Sequence, residues 1–363
     1  VPLLSSPIAG CSADDLPRVL IVDDSAVARA VIGRALEAGR FIVAGAVSNA
    51  DAALSFLHRT PVDAVVLDIA MPGTSGLAAL PELIIAGQGA KVLIVSSSAS
   101  DGAAATIEAL ALGAADTLMK PGVGDFAGRF SVAIVEKLRR LLAIETPLET
   151  PMALAAYRVG ADPVGVAPET AHSFDIVGIG ASTGGIHALA TLLREVPRGF
   201  TLPILITQHL PGSFMPFFAA QVAVMADRPC DVATDSMRIR PGRTIVAPGD
   251  AHMRVVSTGD GAAIRLTHEP AKSGCMPSVD PMFDSLAEVY GARALGIVLS
   301  GMGRDGSEGA RRMADRGGVL FAQDRASSVV WGMPGAIATA GLASALLPPA
   351  EIGRLVAARR RPS

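Results

Sequence analysis

"DIVGIGASTGGIHALATLL", residues 175–193, passes from an apolar run of strand length through a glycine-rich turn into a segment of helical period. Strand, tight turn and helix in succession are the building unit of α/β sheets. The turn itself has two chemical readings. A phosphate cradle needs a lysine near the helix start, or a G-x-G-x-x-G fingerprint followed by an acidic residue. Glycines stand at 178, 180, 184 and 185 with no lysine among them, so neither pattern is met cleanly. A nucleophile needs an exposed oxygen, small neighbours and helix N-terminal amides to receive an oxyanion. Ala181, Ser182, Thr183, Gly184 and Gly185 meet these needs, although the motif differs from the G-x-S-x-G elbow. Ser182 is therefore the candidate nucleophile.

Serine alone is a weak nucleophile and requires a histidine and an orienting carboxylate at neighbouring strand ends. Of six histidines, His209 closes a strongly apolar strand, in "LPILITQHLPGSF". His58, His172, His187, His252 and His268 fall in helical segments, the linker or a hairpin region, where solvated or packing roles are expected. His187 sits more than one helical turn beyond Ser182 and ranks below His209. The stretch "ALGIVLSGMGRDGSEG" places Asp305 in a glycine-rich loop after an apolar strand. Its rival Asp280, in "PSVDPMFDSL", reads as a helix cap or a substrate-loop residue. Sites in open α/β sheets gather beyond the carboxyl ends of strands, which is how residues so distant in sequence meet.

Outward from this stretch, apolar runs continue as "LPILITQHL", "GRTIVAPG", "MRVVS", "AIRLTH", "ALGIVLSG" and "GGVLFAQD". "GRTIVAPG", "MRVVS" and "AIRLTH" are short and turn-bounded, predicting an antiparallel excursion in an otherwise parallel sheet. Upstream, "RVLIVDD", "VDAVVLDIAMP", "KVLIVSSS" and "DTLMKP" alternate with segments of helical period. Prolines at 147, 151, 163 and 168 interrupt the stretch between the two halves. The expected architecture is α/β throughout: an N-terminal (βα)5 domain at 18–144, a linker at 145–173 and a C-terminal domain at 174–358. The last is doubly wound and mostly parallel with an antiparallel hairpin region. A disordered lead-in at 1–17 and the basic tail "RRRPS" at 359–363 flank them.

A chain of 363 residues exceeds one ordinary core and agrees with two domains. Half of it is hydrophobic, yet no apolar stretch reaches the roughly 18–20 residues that span a bilayer, so a soluble protein without membrane insertion is expected. The first residues lack a basic segment followed by a long apolar core, unlike a signal peptide. Cys11, Cys230 and Cys275 are scattered, which suggests neither disulfides nor zinc-binding spacing and fits a reducing cytoplasm. Cys275 has no base beside it in sequence and is expected to be inert. A net charge of -3 offers nucleic acid no global attraction.

In the first half the polar residues closing the strands are Asp23 and Asp24, Asp68, Ser96 and Lys120. Converging carboxylates repel one another, and a hard cation such as Mg²⁺, with few protein ligands, water and a phosphoryl oxygen, relieves that. An aspartate there attacks a phosphoryl donor, while lysine and a hydroxyl bind the new oxygens. With these residues the segment from Arg18 to Ile144 resembles a response-regulator receiver domain. The resemblance implies Asp68, in "LDIAMPGTSG", as phosphoacceptor, Mg²⁺ held by Asp23, Asp24, Asp68 and the Ala70 carbonyl, Ser96 as switch hydroxyl and Lys120 as phosphoryl contact. Such domains usually carry an aromatic switch residue where this chain has Thr117, which leaves the phosphorylation chemistry intact and alters the usual relay.

From Phe174 onward "IGASTGG", "QHLPGSF", "PGRTIVAPGDAHM", "PSVDPMF", "GIVLSGMGRDG" and "AQDRASSVVWGMP" resemble the catalytic domain of chemotaxis protein-glutamate methylesterases/glutamine deamidases. That resemblance implies Ser182 as nucleophile, His209 as general base and acid, and Asp305 as its orienting partner. It implies oxyanion contacts from the Met302 amide and the turn at Thr183 and Gly184. The implied substrates are glutamyl methyl esters, and by the same chemistry glutamines, on chemoreceptor cytoplasmic helices, with no cofactor needed for hydrolysis. A chemotaxis histidine kinase is the implied phosphodonor, and the domain order suggests that the unphosphorylated receiver covers the esterase. "KSGCMPSVD" departs from a loop that is often basic, shifting recognition of an acidic receptor to Lys272 or arginines elsewhere. A phosphorylation-gated binding module with an inactive esterase domain is the alternative. A transcription regulator would need a basic helix-turn-helix, which the second half lacks.

Overall fold

The computed structural model describes residues 16–96, 100–120, 127–142 and 174–358. The expected linker and tail, residues 1–15 of the lead-in, Cys11 and His172 lie outside these. The chain divides into two compact units, Val1–Leu142 and Ala143–Ser363.

The first unit alternates β1 (Arg18–Val22), α1 (Ala26–Ala38), β2 (Ile42–Val47), α2 (Ala50–Leu57), β3 (Ala64–Asp68), α3 (Gly76–Ala86), β4 (Lys91–Ser96), α4 (Ser100–Leu112), β5 (Asp116–Met119) and α5 (Ala127–Leu141). Its five strands pair in parallel in the order β2-β1-β3-β4-β5. Crossover helices cover such a sheet on both faces, so β3 is buried along its whole length and reads as an unbroken apolar run. Edge strand β2 is only half-buried, and this is why "IVAGAV" stands out less than its neighbours. Helix α1 begins where the Ser25 hydroxyl accepts the Ala28 amide, placing its N-terminus directly after Asp23 and Asp24.

The second unit holds seven parallel strands in the order β14-β13-β12-β6-β7-β9-β8, where β6 is Ile176–Ala181, β7 Ile204–Gln208, β8 Cys230–Val232, β9 Thr244–Val246, β12 Ala294–Val298, β13 Val319–Gln323 and β14 Ala345–Leu347. A separate antiparallel pair, β10 (His252–Thr258) and β11 (Gly261–Thr267), packs against helix α8 (Val279–Tyr290). The expected antiparallel excursion is thus smaller than the sequence suggests. "GRTIVAPG" supplies β9, which pairs in parallel with both β7 and β8. Its three residues are fully buried, and shortness alone misplaced it.

Helix α8 lies directly on β6. A Cβ at Gly178 would come 2.5 Å from Leu286 and one at Gly180 2.5 Å from Val279, so only glycine lets the helix approach this closely. Phe283 and Met282 complete that buried face. Among the described residues no helix is long and apolar enough to cross a membrane.

Candidate functional site

The three middle strands of the second sheet carry the predicted residues. Register pairs Val298 with Gly180 and Ala181 with Gln208, so the carboxyl ends of β12, β6 and β7 stand side by side. Ser182 follows β6, His209 follows β7, and Asp305 lies in the loop between β12 and helix α9 (Ser307–Asp315). Chain order reverses direction at β6, where ligand crevices form in doubly wound sheets.

His209 Nε2 lies 2.8 Å from Asp305 Oδ2. Asp305 is 2% exposed, yet its carboxylate is fully hydrogen-bonded. Oδ1 accepts the Ser278 hydroxyl at 2.5 Å, and Oδ2 also accepts the Val279 amide at 2.7 Å. Burial alone would raise its pKa, but hydrogen bonds from His209, Ser278 and Val279 overcome that and hold it at about 2. Burial likewise opposes charge on His209, while hydrogen bonding to Asp305 and Cys275, with their charges, lifts its pKa to about 9. Ser182 Oγ makes no hydrogen bond among the described residues; such bonds often tighten only with substrate present.

Sequence reasoning missed the support behind this pair. Ser278 is the N-cap of α8, so one hydroxyl both starts the helix and orients Asp305. His252, 1% exposed, accepts the Ser278 amide at Nδ1 (2.9 Å) and bonds the Glu269 carbonyl through Nε2 (2.9 Å). A serine before "VDPMF" signals a helix start, but nothing local reveals that it faces Asp305. Removing the hydroxyl in Ser278→Ala leaves Oδ1 without a buried partner. We expect stability to fall by about 1–3 kcal/mol and ester turnover to drop about tenfold, read by thermal unfolding and steady-state rates.

Beneath the nucleophile, Gln208 Nε2 donates to the Ser182 carbonyl at 2.9 Å, and the Ser300 hydroxyl reaches the Thr183 carbonyl at 2.8 Å. Gly184 takes φ 75°, a left-handed conformation that starts helix α6 (Gly185–Arg194). The amides of Gly184 and Met302 have no acceptor among the described residues and are free to bind an oxyanion.

Met302, Asp280, Cys275 and Asp305 line a cleft of about 760 Å³ with Lys272, Arg304 and Arg311. Lys272 is ion-paired with Glu308 at 3.0 Å, whereas Arg304 and Arg311 have no side-chain partner among the described residues. Asp280 sits in the first turn of α8, where Gly309 N donates to it at 2.8 Å; burial, then the nearby Asp305 charge, lifts its pKa to about 6. Cys275 stands where its sequence neighbours did not suggest. It lies with His209 and Asp305 in one cluster, ligand atoms within 4.8 Å of one another. An assessment of its sequence neighbours alone could not find a base so far along the chain.

In the first unit Asp23, Asp24 and Asp68 converge with carboxylate oxygens within 4.8 Å of one another. Lys120 Nζ reaches Asp68 at 2.6 Å and Asp23 at 2.8 Å. Burial disfavours its charge, but these two carboxylates prevail and raise its pKa. Asp23 Oδ2 is the atom that Lys120 meets, and three converging carboxylates make an all-oxygen donor set that fits Mg²⁺. Ala70 stands two residues beyond Asp68, its amide donating to Asp68 Oδ1 at 3.1 Å. Ser96 Oγ, at the end of β4, is 2.9 Å from Thr106 Oγ1. The hydroxyl of Thr117, which stands in place of the aromatic that receiver domains usually carry, is buried without a hydrogen-bond partner among the described residues.

Fold and sites together define a two-part response regulator: a phosphoacceptor-type parallel sheet followed by an α/β unit with serine, histidine and aspartate at adjacent strand ends. The chain belongs to the CheB methylesterase family, which matches residues 177–356, with a response regulator receiver domain matched over 19–125. A "Protein-glutamate methylesterase/protein-glutamine glutaminase 2" from Caulobacter vibrioides is 42% identical, covering 95% of this chain and 99% of the relative. A relative of the same activity name from the group 2 operon of Rhodospirillum centenum is 40% identical, covering 98% and 97%. The crystal structure of the Thermotoga maritima CheB methylesterase catalytic domain aligns with a TM-score of 0.50 and 31% identity, covering 51% of this chain and 98% of that one.

Proposed function

We propose that this protein hydrolyses glutamyl methyl esters on chemoreceptor cytoplasmic helices, giving glutamate and methanol, and deamidates receptor glutamines, under control of phosphorylation at Asp68. The observation that carries the reading is the hydrogen-bonded His209–Asp305 pair beside Ser182 at three adjacent strand ends.

Ser182 Oγ attacks the acyl carbon while His209 takes its proton. Nε2 is committed to Asp305, so Nδ1 is the receiving nitrogen. The acyl oxygen becomes an oxyanion facing the Met302 and Gly184 amides. Methanol leaves with the proton from His209. Water then enters, gives a proton to His209 and attacks the acyl-serine; the bond to Ser182 Oγ breaks as His209 returns that proton to it, freeing the carboxylate. A glutamine follows the same course with ammonia as leaving group. Arg304 and Arg311 offer unpaired positive charge at the mouth for an acidic receptor surface.

In the receiver Asp68 accepts a phosphoryl group from a histidine kinase, and Lys120 and Ser96 receive its oxygens. Asp23, Asp24, Asp68 and the Ala70 carbonyl would hold Mg²⁺, which when bound neutralises the carboxylates and the incoming phosphoryl charge. The protein is placed in the cytoplasm, where both partners present their reactive domains. Asp68→Asn is expected to remove activation by a phosphodonor while leaving basal ester hydrolysis in place.

The test is methanol release from methylated receptor cytoplasmic fragments, with and without acetyl phosphate plus Mg²⁺, using Ser182→Ala as blank. Release that rises with the phosphodonor and vanishes in the mutant supports the gated esterase. Binding without release under either condition would instead favour the phosphorylation-gated binding module.

A further inference from the structure

We propose that Cys275, His209 and Asp305 form an inhibitory site for a thiophilic divalent cation of the zinc class. Cys275 Sγ, a ring nitrogen of His209 and a carboxylate oxygen of Asp305 lie within 4.8 Å of one another. Tetrahedral zinc, with bonds of about 2.0–2.3 Å, holds its ligands roughly 3.3–3.8 Å apart, so small side-chain adjustments close the set. One sulfur, one nitrogen and one oxygen select zinc, cobalt or cadmium over magnesium, unlike the all-oxygen cluster at Asp23, Asp24 and Asp68.

Three further features favour occupancy. Asp305 is already oriented by the Ser278 hydroxyl and the Val279 amide, the kind of outer support that metal-binding carboxylates need. Cys275 is half-buried, and its sulfur already interacts with His209 besides a long contact, 3.9 Å, to the Ser273 carbonyl, so the sulfur and imidazole face each other before any ion arrives. Cys275 and Asp305 both line the open cleft, which gives the ion an entry path and a fourth position for water.

On binding, the thiol and the His209 imidazolium each release a proton to solvent, and the thiolate, the neutral imidazole and the carboxylate join on the metal. In the proposed reaction the imidazole takes the Ser182 proton and the carboxylate orients it, so a bound metal stops ester hydrolysis and its removal restores it. Metal binding stands independently of the proposed function; only the inhibition rests on it.

The test uses the full chain, stripped with a chelator and kept in excess Mg²⁺ so that the receiver carboxylates do not compete. Cobalt titration should give a thiolate-to-metal charge-transfer band, absent in Cys275→Ser, and zinc should bind the variant about tenfold or more weakly. Zinc should also suppress methanol release reversibly, with the variant's sensitivity, taken as the ratio of rates with and without metal, reduced by the same factor. Equal affinity in both proteins, or no thiolate band, overturns the site. A band without loss of methanol release overturns its inhibitory role. A chain that releases no methanol even without metal fails the esterase reading, while the band still decides the site.

Discussion

Asp305→Asn is expected to lower kcat/KM for methyl-ester hydrolysis by about a thousandfold to ten-thousandfold in a chain that still folds. Asp305 accepts three hydrogen bonds, from Ser278, Val279 and His209. Asparagine has one acceptor oxygen and an amino group, so it cannot accept from all three. With its oxygen at the Oδ2 position it still accepts from Val279 and His209 while its NH₂ faces Ser278, so what is lost is the negative charge that stabilises His209 once it has taken the Ser182 proton. The hydroxyl of Ser278 can rotate, which limits the folding cost to about 1–3 kcal/mol. Because the residues act as a unit, adding the mutation to Ser182→Ala should cost little more than Ser182→Ala alone. Steady-state methanol release with parallel thermal unfolding separates lost chemistry from lost fold. A near wild-type rate in Asp305→Asn would remove Asp305 from the mechanism.

A steep pH dependence is the second large effect. With metal excluded by a chelator, kcat/KM should climb about tenfold per pH unit, roughly 50-fold from pH 7 to pH 9, and level off above that at about 100-fold. His209 must be neutral to take the serine proton, and its raised pKa of about 9 keeps it protonated below that value. The sign follows: a base whose pKa is raised loses activity as pH falls. Part of the rise comes from Cys275, so Cys275→Ala should shift the profile to lower pH. A profile already flat above pH 7 would show that His209 is not held charged in the free protein.

How much of this was legible in the sequence differs by feature. Strands buried on both faces, such as β3 and β7, announce themselves as apolar runs, and the polar residue closing each run falls at the site by topology alone. This made Asp68, Ser182 and His209 readable as candidates. Strands β8 and β14, three residues each and half-buried at the sheet edges, carry too little pattern to find. Strand β9 was visible, but pairing direction is set by tertiary partners rather than by its own residues. Contacts from distant segments were hidden as well. The bond from Ser278 to Asp305 spans 27 positions, and Cys275 meets His209 from a loop far along the chain.

The central claim is that Ser182, activated by His209, is the nucleophile. Labelling with a fluorophosphonate and locating the adduct by peptide mass spectrometry tests it most directly. The account predicts an adduct on Ser182, forming faster toward pH 9, lost in His209→Gln and strongly slowed in Asp305→Asn, with methanol release lost in proportion. Methanol release that continues while Ser182 stays unlabelled, or after Ser182→Ala, would contradict it.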